Sequence, residues 1–345
     1  MSEPRVPPTS ALFVRLGAIG DVVNALTVAT ALREAAPATR IGWAVHPLSL
    51  PLVEGHPAVD RVHVWRRGGG ARELSRLARE IRSARYELAA DLQRLQKSAL
   101  LARASGASRV LGFDRARCKE SSWVWTRERI APGPKREHMV LQYRRFLPLL
   151  GVPDRDPQHA FPHDAAAVAW AEGRSANGPS TLLNLGASKP EKRWPTASWR
   201  ALAERLLAGD AGPLDGPILL TGGPGDADVA REVARGLDVV DLVGTTSLLQ
   251  LLELSRRARR MVTADTGPMH MCAAVGTPVV ALFGPSDPAR TGPYGEGHVV
   301  LLGGEPLPRD LVVSYEIPRE VAAMESTSVD AVVRAMADAS AQRGE

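Results

Sequence analysis

Short apolar runs alternate with longer amphipathic segments along both halves of the chain. Five apolar runs in the first half predict buried strands, at 11–16, 41–45, 62–65, 88–91 and 110–113. Helical spacing of apolar residues predicts a helix over 21–35 and a long one over 138–150. Alternating strands and helices favour parallel pairing with right-handed crossovers, so this half predicts a doubly wound α/β domain.

The same alternation restarts after a polar stretch with proline and glycine at 151–179, where we place a linker. Strands are predicted at 181–185, 218–221, 239–242, 261–265 and 278–283. Helices are predicted at 197–207, 226–235, 248–256 and 328–339. This half is a second Rossmann-like domain, and two such domains would turn their carboxyl strand edges toward one cleft. We assign 10–165 to the first domain and 166–325 to the second, and expect 326–345 to pack back on the first.

Composition and charge narrow the class of protein. The chain has 345 residues, 44% hydrophobic and 23% charged, which is an ordinary globular mixture for two domains. Its formal charge of +5 suits an anionic partner. No apolar run is long enough for a membrane span, and the polar N-terminal segment lacks a signal core, so we expect a cytoplasmic protein with two reduced thiols. The scattered basic residues argue against nucleic-acid binding.

The strongest candidate chemistry lies where an apolar strand ends at Asp265 and a helix opens at Gly267 and Pro268. Proline fits the first helical turn, because its missing N–H has no partner there. The free amides from Thr266 onward and the helix dipole favour an anion, so this turn predicts a phosphate site that needs no metal. His270 follows in the same helix. The alternative is an ordinary helix start.

A second candidate is Asp21, at the turn between the first strand and the first helix. The glycines at 17 and 20 do not have the spacing of the dinucleotide fingerprint. An aspartate at a helix start is usually a cap. The functional alternative is a general base that accepts a proton from an attacking sugar hydroxyl.

Two loops of the second half are further candidates. Residues 188–195 carry three cations after a strand, so Lys192 would neutralise a leaving diphosphate and Ser188 would bind one of its oxygens. The glycine turn at 222–225 precedes Asp226, which could accept hydrogen bonds from a ribose. Asp226 and Asp228 also match a metal-binding Asp-X-Asp pattern, but so short a match is common by chance, and acids are favoured at a helix start anyway.

These motifs resemble the ADP-heptose:lipopolysaccharide heptosyltransferases, glycosyltransferase family 9, in the right order over nearly the whole chain. The matching segments are 15–23, 91–93 with 97–98, 192–195, 222–224, 265–270 and 284–288. The form of the segment 15–21 favours the heptosyltransferase I type, which adds the first heptose to the Kdo sugar of the inner core. Position 24 is asparagine where the family often has histidine, so the acceptor edge differs here.

The resemblance implies a GT-B fold and metal-independent, inverting transfer of heptose from ADP-heptose, which is a substrate, so no cofactor is expected. It implies that Asp21 is the base and that Lys192 contacts the diphosphate. The backbone at Thr266, Gly267 and Pro268 would hold the same group, and Asp265 and His270 would line the donor site. Asp226 matches the ribose-binding acid, which is usually a glutamate.

The acceptor side carries weaker signals. Gln93 and Lys97 follow a first-domain strand, and Arg115 and Glu120 lie in a basic loop; these four are our acceptor-binding candidates. A lipid-linked oligosaccharide acceptor would place the protein at the cytoplasmic face of the inner membrane. The arginine stripe at 72, 76 and 79 is either a solvated helix face or a contact with an acidic membrane surface.

Three other functions stay open on the sequence alone. The same fold could use another nucleotide sugar or a different acceptor. A sugar-nucleotide epimerase also has two Rossmann-like domains, but it turns over its donor without an acceptor. A catalytically silent binding protein is the third, against which the joint presence of Asp21, Lys192, Asp265 and His270 argues.

Overall fold

The computed structural model describes residues 5–66, 68–134, 136–307 and 323–341. The chain divides into two compact units between His163 and Asp164. This division lies close to the boundary placed at residue 165 from the sequence. Each unit contains one sheet with helices packed on it.

The sheet of the first unit has six parallel strands in the order β3-β2-β1-β4-β5-β6. The strands are β1 Ser10–Val14, β2 Arg40–Val45, β3 Arg61–Val64, β4 Leu88–Asp91, β5 Arg109–Gly112 and β6 Glu128–Arg129. The order reverses at β1 and β4, which are neighbours although β2 and β3 lie between them along the chain. In such sheets, binding sites form beyond the carboxyl ends of the strands at the reversal.

The described part of this unit has four α-helices: α1 Ile19–Ala35, α2 Gly70–Ser83 and α3 Gln96–Ala104, which lie between strands, and α4 Met139–Arg144, which follows β6. Helix α1 follows β1 directly, and twelve of its seventeen residues are buried, so it is a central helix of the unit. The prediction of one long helix over 138–150 is wrong. The segment is divided into α4 and a 3₁₀ turn at Leu147–Leu150, because Pro148 has no N–H with which to continue an α-helix.

The sheet of the second unit has seven strands in the order β13-β12-β11-β10-β7-β8-β9, parallel except for β13. The strands are β7 Thr181–Asn184, β8 Ile218–Thr221, β9 Val240–Asp241, β10 Arg260–Ala264, β11 Val279–Phe283, β12 Val299–Leu302 and β13 Glu305–Pro306. The reversal lies between β7 and β10. The five predicted strands of this half are all present.

The described residues of the second unit form seven α-helices: α5 Ala165–Arg174, α6 Thr196–Leu207, α7 Ala227–Ala234, α8 Leu248–Arg257, α9 Gly267–Ala274, α10 Pro288–Thr291 and α11 Val329–Ala341. Helix α5 lies inside the segment predicted as a linker; Asp164 caps it by accepting hydrogen bonds from the amides of residues 166 and 167. Buried residues of α11, among them Val332 and Met336, belong to the core of this unit.

Candidate functional site

A row of polar side chains crosses the carboxyl edge of the second sheet. Asn184 is the last residue of β7, and the strand register places it between Thr263 of β10 and Thr221 of β8. Its amide nitrogen donates to the Thr263 hydroxyl at 2.9 Å, and its carbonyl oxygen accepts from the Thr221 hydroxyl at 3.4 Å. All three side chains are buried. One neutral amide therefore links the three central strands at the edge where a ligand would bind.

The same row reaches the start of α9. The Thr266 hydroxyl lies 3.2 Å from that of Thr263 and 3.4 Å from the Asn184 amide nitrogen. Thr266 is the N-cap residue of α9, yet its side chain does not cap the helix amides. Gly267 begins the helix, and Pro268 lies in the first turn, as the sequence predicts. Because the threonine side chain is engaged elsewhere, the N-terminal amides of α9 keep their hydrogen-bonding capacity for a ligand.

Lys192 and Asp265 meet at this edge. Lys192 ends the 3₁₀ turn Pro190–Lys192, and its ammonium lies 2.5 Å from the carboxylate of Asp265, which directly follows β10. The loop is anchored by Trp194, whose indole N–H donates to the carbonyl of Thr327 at 2.8 Å. The Lys192 side chain is 19% exposed and that of Asp265 is 8% exposed. A cation so held is positioned and still open to an anionic ligand.

Asp226 closes the glycine turn after β8. Its Oδ2 accepts a hydrogen bond from the Gly223 amide at 2.9 Å, and Oδ1 lies 3.5 Å from a guanidinium nitrogen of Arg193. A Cβ atom at Gly186 would lie only 2.4 Å from Oδ2, so glycine there permits the approach of this carboxylate to the end of β7. One carboxylate oxygen is thus structural, and the other faces a cation.

The remaining predicted donor residues fall into two groups. His270 is the fourth residue of α9 and is buried. Ser188 is exposed in the loop after β7. Asp228 is exposed and pairs with Arg231 at 2.8 Å, whereas Asp226 is buried, so the two aspartates of the Asp-X-Asp pattern face different surroundings. Among the residues that the structure describes, no group of three acidic, histidine or cysteine side chains could hold a metal ion.

The carboxyl edge of the first sheet is charged. Asp21, the third residue of α1, forms an ion pair with Arg15, which directly follows β1. The Arg15 side chain is 5% exposed and that of Asp21 is 32% exposed. Arg15 also donates to the carbonyl of Leu92 at 3.0 Å. Burial lowers the pKa of Arg15, but Asp21, Tyr143 and Asp91 together raise it above its ordinary value, so this cation stays charged.

Asp91 ends β4 beside β1 and is almost completely buried. Its Oδ1 accepts hydrogen bonds from the amides of Gln93 at 2.9 Å and Arg94 at 3.2 Å. Desolvation outweighs these bonds and the charge of Arg15, and raises the pKa of Asp91 to about 6. The first unit therefore holds a buried titratable carboxyl group close enough to Arg15 for their charges to interact.

The four acceptor candidates have different surroundings. The Gln93 side-chain carbonyl accepts from the Leu16 amide at 2.8 Å, so it holds the turn between β1 and α1. Lys97 is exposed in the first turn of α3. Arg115 is exposed and lies over the Trp123 ring, 4.4 Å from its centroid. Glu120 is exposed and accepts from the Gln96 amide at 3.2 Å.

Sequence reasoning missed the roles of Arg15, Asp91 and Asn184. Each stands at or just after the end of a short apolar strand, at positions 10–14, 88–91 and 181–184. A polar side chain in that position is a usable signal, because parallel strands deliver their last residues to one edge. Their partners come from other strands or helices, so the sequence alone could not show the pairs.

The arginines of the predicted stripe on α2 have different surroundings. Arg76 pairs with Glu73 and Glu80, each at 2.7 Å, while Arg72 is exposed. Both cysteines are free, and burial raises the pKa of the Cys272 thiol to about 12. No helix in the described part of the chain has the length and apolar character of a transmembrane segment.

Comparison with solved structures supports the fold. The chain matches a glycosyltransferase family 9 protein from Veillonella parvula with a TM-score of 0.80 and 22% identity, covering 99% of each chain. It matches E. coli heptosyltransferase WaaC in complex with ADP with a TM-score of 0.74 and 24% identity, covering 96% of this chain and 99% of that one. The two parallel-sheet α/β units and these neighbours confirm the GT-B fold.

Comparison of sequences gives the family. The chain is 30% identical over 303 residues to lipopolysaccharide heptosyltransferase 1 of Pseudomonas aeruginosa, covering 84% of this chain and 82% of the relative. It is 28% identical to lipopolysaccharide heptosyltransferase 1 of Salmonella typhimurium, covering 85% and 94%. The model of glycosyltransferase family 9 (heptosyltransferase) matches residues 74–311. The chain is therefore a transferase enzyme and belongs to glycosyltransferase family 9.

Proposed function

We propose that this enzyme transfers a heptose from ADP-heptose to the inner core of lipopolysaccharide, with inversion at the anomeric carbon and without a metal ion. The observation that carries the proposal is the edge of the second sheet, where Lys192 and the uncapped start of α9 lie beside Asp265. A cation and free helix amides are suited to a diphosphate. The relatives named lipopolysaccharide heptosyltransferase 1 supply the sugar and the acceptor class.

The second unit binds the donor in this proposal. Lys192 and the backbone of Thr266, Gly267 and Pro268 hold the diphosphate, with the N–H groups of Thr266 and Gly267 as donors, and His270 lies in the same helix. Asp226 contacts the ribose through Oδ1, since Oδ2 is engaged by the Gly223 amide. Asp265 keeps Lys192 in place until the phosphate oxygens arrive. Fixed donors of this kind stabilise the charge that develops on a leaving diphosphate.

The first unit activates the acceptor. Asp21 takes the proton from the attacking sugar hydroxyl, whose oxygen forms a new bond to the anomeric carbon of the donor. The bond between that carbon and the phosphate oxygen breaks, and its electron pair leaves with ADP. Attack opposite the leaving group inverts the configuration. Arg15 acts as a positioning residue, because its buried guanidinium fixes the Asp21 carboxylate.

The names of the relatives and the form of residues 15–21 support the choice of acceptor. We infer that the first heptose is added to a Kdo sugar of lipid A, at the cytoplasmic face of the inner membrane. Of the acceptor candidates, Lys97, Arg115 and Glu120 are exposed and can contact a charged sugar directly. Gln93 contributes by holding the turn that precedes Asp21.

Calorimetric titration of the purified protein with ADP, UDP and GDP, each in EDTA, tests the donor assignment. We expect ADP to bind at least about tenfold more tightly than UDP or GDP, and Lys192→Ala to weaken ADP binding about tenfold, the value of one charge-assisted contact. Lys189→Ala is the matched control, since Lys189 is an exposed lysine of the same loop. Binding that requires a divalent metal ion, or a preference for UDP, would overturn the proposal.

A further inference from the structure

An exposed apolar tip surrounded by cations stands out on the first unit. It is the 3₁₀ turn Ser122–Trp125 between β5 and β6. Val124, in the middle of the turn, is 58% exposed, and Trp123 and Trp125 on either side are partly exposed. Burial of this valine in water-free surroundings would be favourable, and its exposure has no structural benefit for the unit itself.

The surroundings of the turn are basic. Four exposed cations belong to it, namely Arg115, Lys119, Arg127 and Arg129. Arg115 and Arg129 lie over the Trp123 ring, 4.4 Å and 5.8 Å from its centroid. Residues 115–129 contain two carboxylates, Glu120 and Glu128, and Glu128 pairs with Arg109 at 2.8 Å. We call the turn and these four cations the Trp123 surface.

The turn is held firmly at its base. Arg129 donates to the carbonyls of Trp123 at 2.8 Å and Thr126 at 3.0 Å. The Trp125 indole N–H donates to the side-chain carbonyl of Gln96, at the start of α3. The backbone of the tip is therefore fixed, and the apolar side chain is presented by a rigid support.

We propose that the Trp123 surface docks the enzyme on a bilayer that contains anionic lipids. Tryptophan prefers the region between headgroups and acyl chains, where its ring is buried and its N–H meets polar groups. Lysine and arginine are attracted to anionic headgroups while their aliphatic stems cover apolar surface. Val124 would enter the acyl boundary. This inference rests on the proposed function, which places the enzyme at a membrane, and deepens it by naming the surface of the chain that contacts the lipids.

A second exposed valine shows the contrast within the same chain. Val240, in the edge strand β9 of the second unit, is 43% exposed. Its neighbours Asp238 and Asp241 are exposed acids. Anionic headgroups repel such a site, so exposed valine alone does not make a membrane contact. The two valines thus form a matched pair with opposite charge surroundings.

Flotation of the full chain with vesicles tests the proposal. The probes are phosphatidylcholine vesicles with and without about one third phosphatidylglycerol, at physiological salt. We expect partitioning onto the anionic vesicles, and a loss of at least about fivefold for Arg127→Glu, since each basic residue near the surface contributes about 1 kcal/mol. Val124→Asp should lose at least as much. Val124→Trp should partition more strongly than the parent while it binds ADP with the parent's affinity, which shows that the variant is folded.

Val240→Asp and Arg72→Glu are the controls, and both should bind vesicles like the parent protein. Calorimetry with ADP should give one affinity for all variants, so a failure here is separate from a failure of the donor site. The proposal is overturned if the parent does not float with anionic vesicles, or if Val124→Asp and Val124→Trp float as the parent does. If Arg72→Glu loses as much vesicle binding as Arg127→Glu, the attraction is a diffuse charge effect and the proposal is overturned. The proposal is also overturned if the protein does not float with vesicles but binds heparin, and Val124→Asp binds heparin equally well, because the partner is then a polyanion.

Discussion

The carboxyl edges of the two sheets differ in the side chains that join their neighbouring strands. At the edge of the first sheet, Asp91, Arg15 and Asp21 form a charged group that is largely buried. At the edge of the second, Asn184 and threonine hydroxyls form a neutral row. Both sheets have the same parallel scheme. In the proposed function, the first edge holds a carboxylate that exchanges a proton and the second edge presents donors to an anion, and this difference in role fits the difference in side chains.

The neutral row has a further consequence for charge at the second edge. Asn184, Thr221 and Thr263 satisfy one another, so they place no charge near the start of α9. The carboxylate of Asp265 is matched by Lys192. Neither the neutral row nor the Lys192–Asp265 pair therefore cancels the partial positive charge of the helix start, which favours an anionic ligand.

Removal of the candidate base is expected to give the largest effect. Asp21→Asn should lower kcat by about 10²–10⁴, because the acceptor proton then has no carboxylate to receive it. ADP affinity should stay within about twofold, since the donor contacts belong to the second unit. Turnover assays and calorimetry together check this. Asp60→Asn is the control, because Asp60 also pairs with an arginine of the first unit, Arg33 at 2.6 Å. Near-normal turnover of Asp21→Asn would contradict the base assignment.

Loss of the donor-side cation comes next. Lys192→Ala should lower kcat/KM by about 10²–10³, since it removes charge stabilisation from the leaving diphosphate and leaves Asp265 without its cation. The decrease should appear in both KM for the donor and kcat. Steady-state kinetics with varied donor measure it. If Lys192→Ala and Lys189→Ala behave alike, Lys192 has no special role.

The buried carboxyl group of the first edge predicts a pH dependence of stability. Because burial raises the folded-state pKa of Asp91 to about 6, the folded chain binds this proton more tightly than the unfolded chain does. The stabilisation is fully present below about pH 4 and is lost as the pH rises through about 6. Over the whole titration, from well below pH 4 to well above pH 6, the free energy of unfolding should fall by about 3 kcal/mol on account of this group.

Asp91→Asn should remove that fall, because asparagine keeps an oxygen for the amides of Gln93 and Arg94 and does not titrate. Urea unfolding at pH 4 to 8 measures it. Asp241→Asn is a close control: Asp241 ends β9 and accepts the amide of Val243 at 2.9 Å, but it is exposed. Parallel pH curves for wild type and Asp91→Asn would contradict the burial argument.

The smallest predicted effect concerns the neutral row. Asn184→Leu removes the donor to Thr263 and the acceptor for Thr221, and should weaken ADP binding by about tenfold through loss of buried hydrogen bonds near α9. Thr221→Val should cost less, since its hydroxyl makes one long bond of 3.4 Å to Asn184. Calorimetry measures ADP binding, and urea unfolding tests whether each variant is folded. Unchanged ADP affinity in a folded Asn184→Leu would show that the row only supports the sheet.

Sequence patterns predicted the start of α9 and the strands other than β6, β12 and β13, because apolar runs, Gly267 and Pro268 are local signals. The patterns failed to predict where two helices end or begin. Pro148 divides a segment that reads as one helix, and Asp164 starts a helix inside a stretch that looks like a linker.

The candidate site divides in the same way. Lys192 and Asp265 were each predicted, but their pairing joins a loop to a strand 73 positions away. The partners of Arg15 and Asn184 became visible only once the strands were side by side, since those partners lie on other elements. Pairing, burial and the raised pKa of Asp91 are tertiary properties that no local pattern contains.

Acceptor-dependent release of ADP tests the account most directly. The enzyme is mixed with ADP-heptose and Kdo-containing lipid A in EDTA, and ADP is measured with time, with Asp21→Asn run in parallel. The account predicts ADP release by the wild type only when the acceptor is present, and about 10²–10⁴ slower release by Asp21→Asn. Release or epimerisation of the donor without acceptor, or no reaction until a divalent metal ion is added, would contradict it.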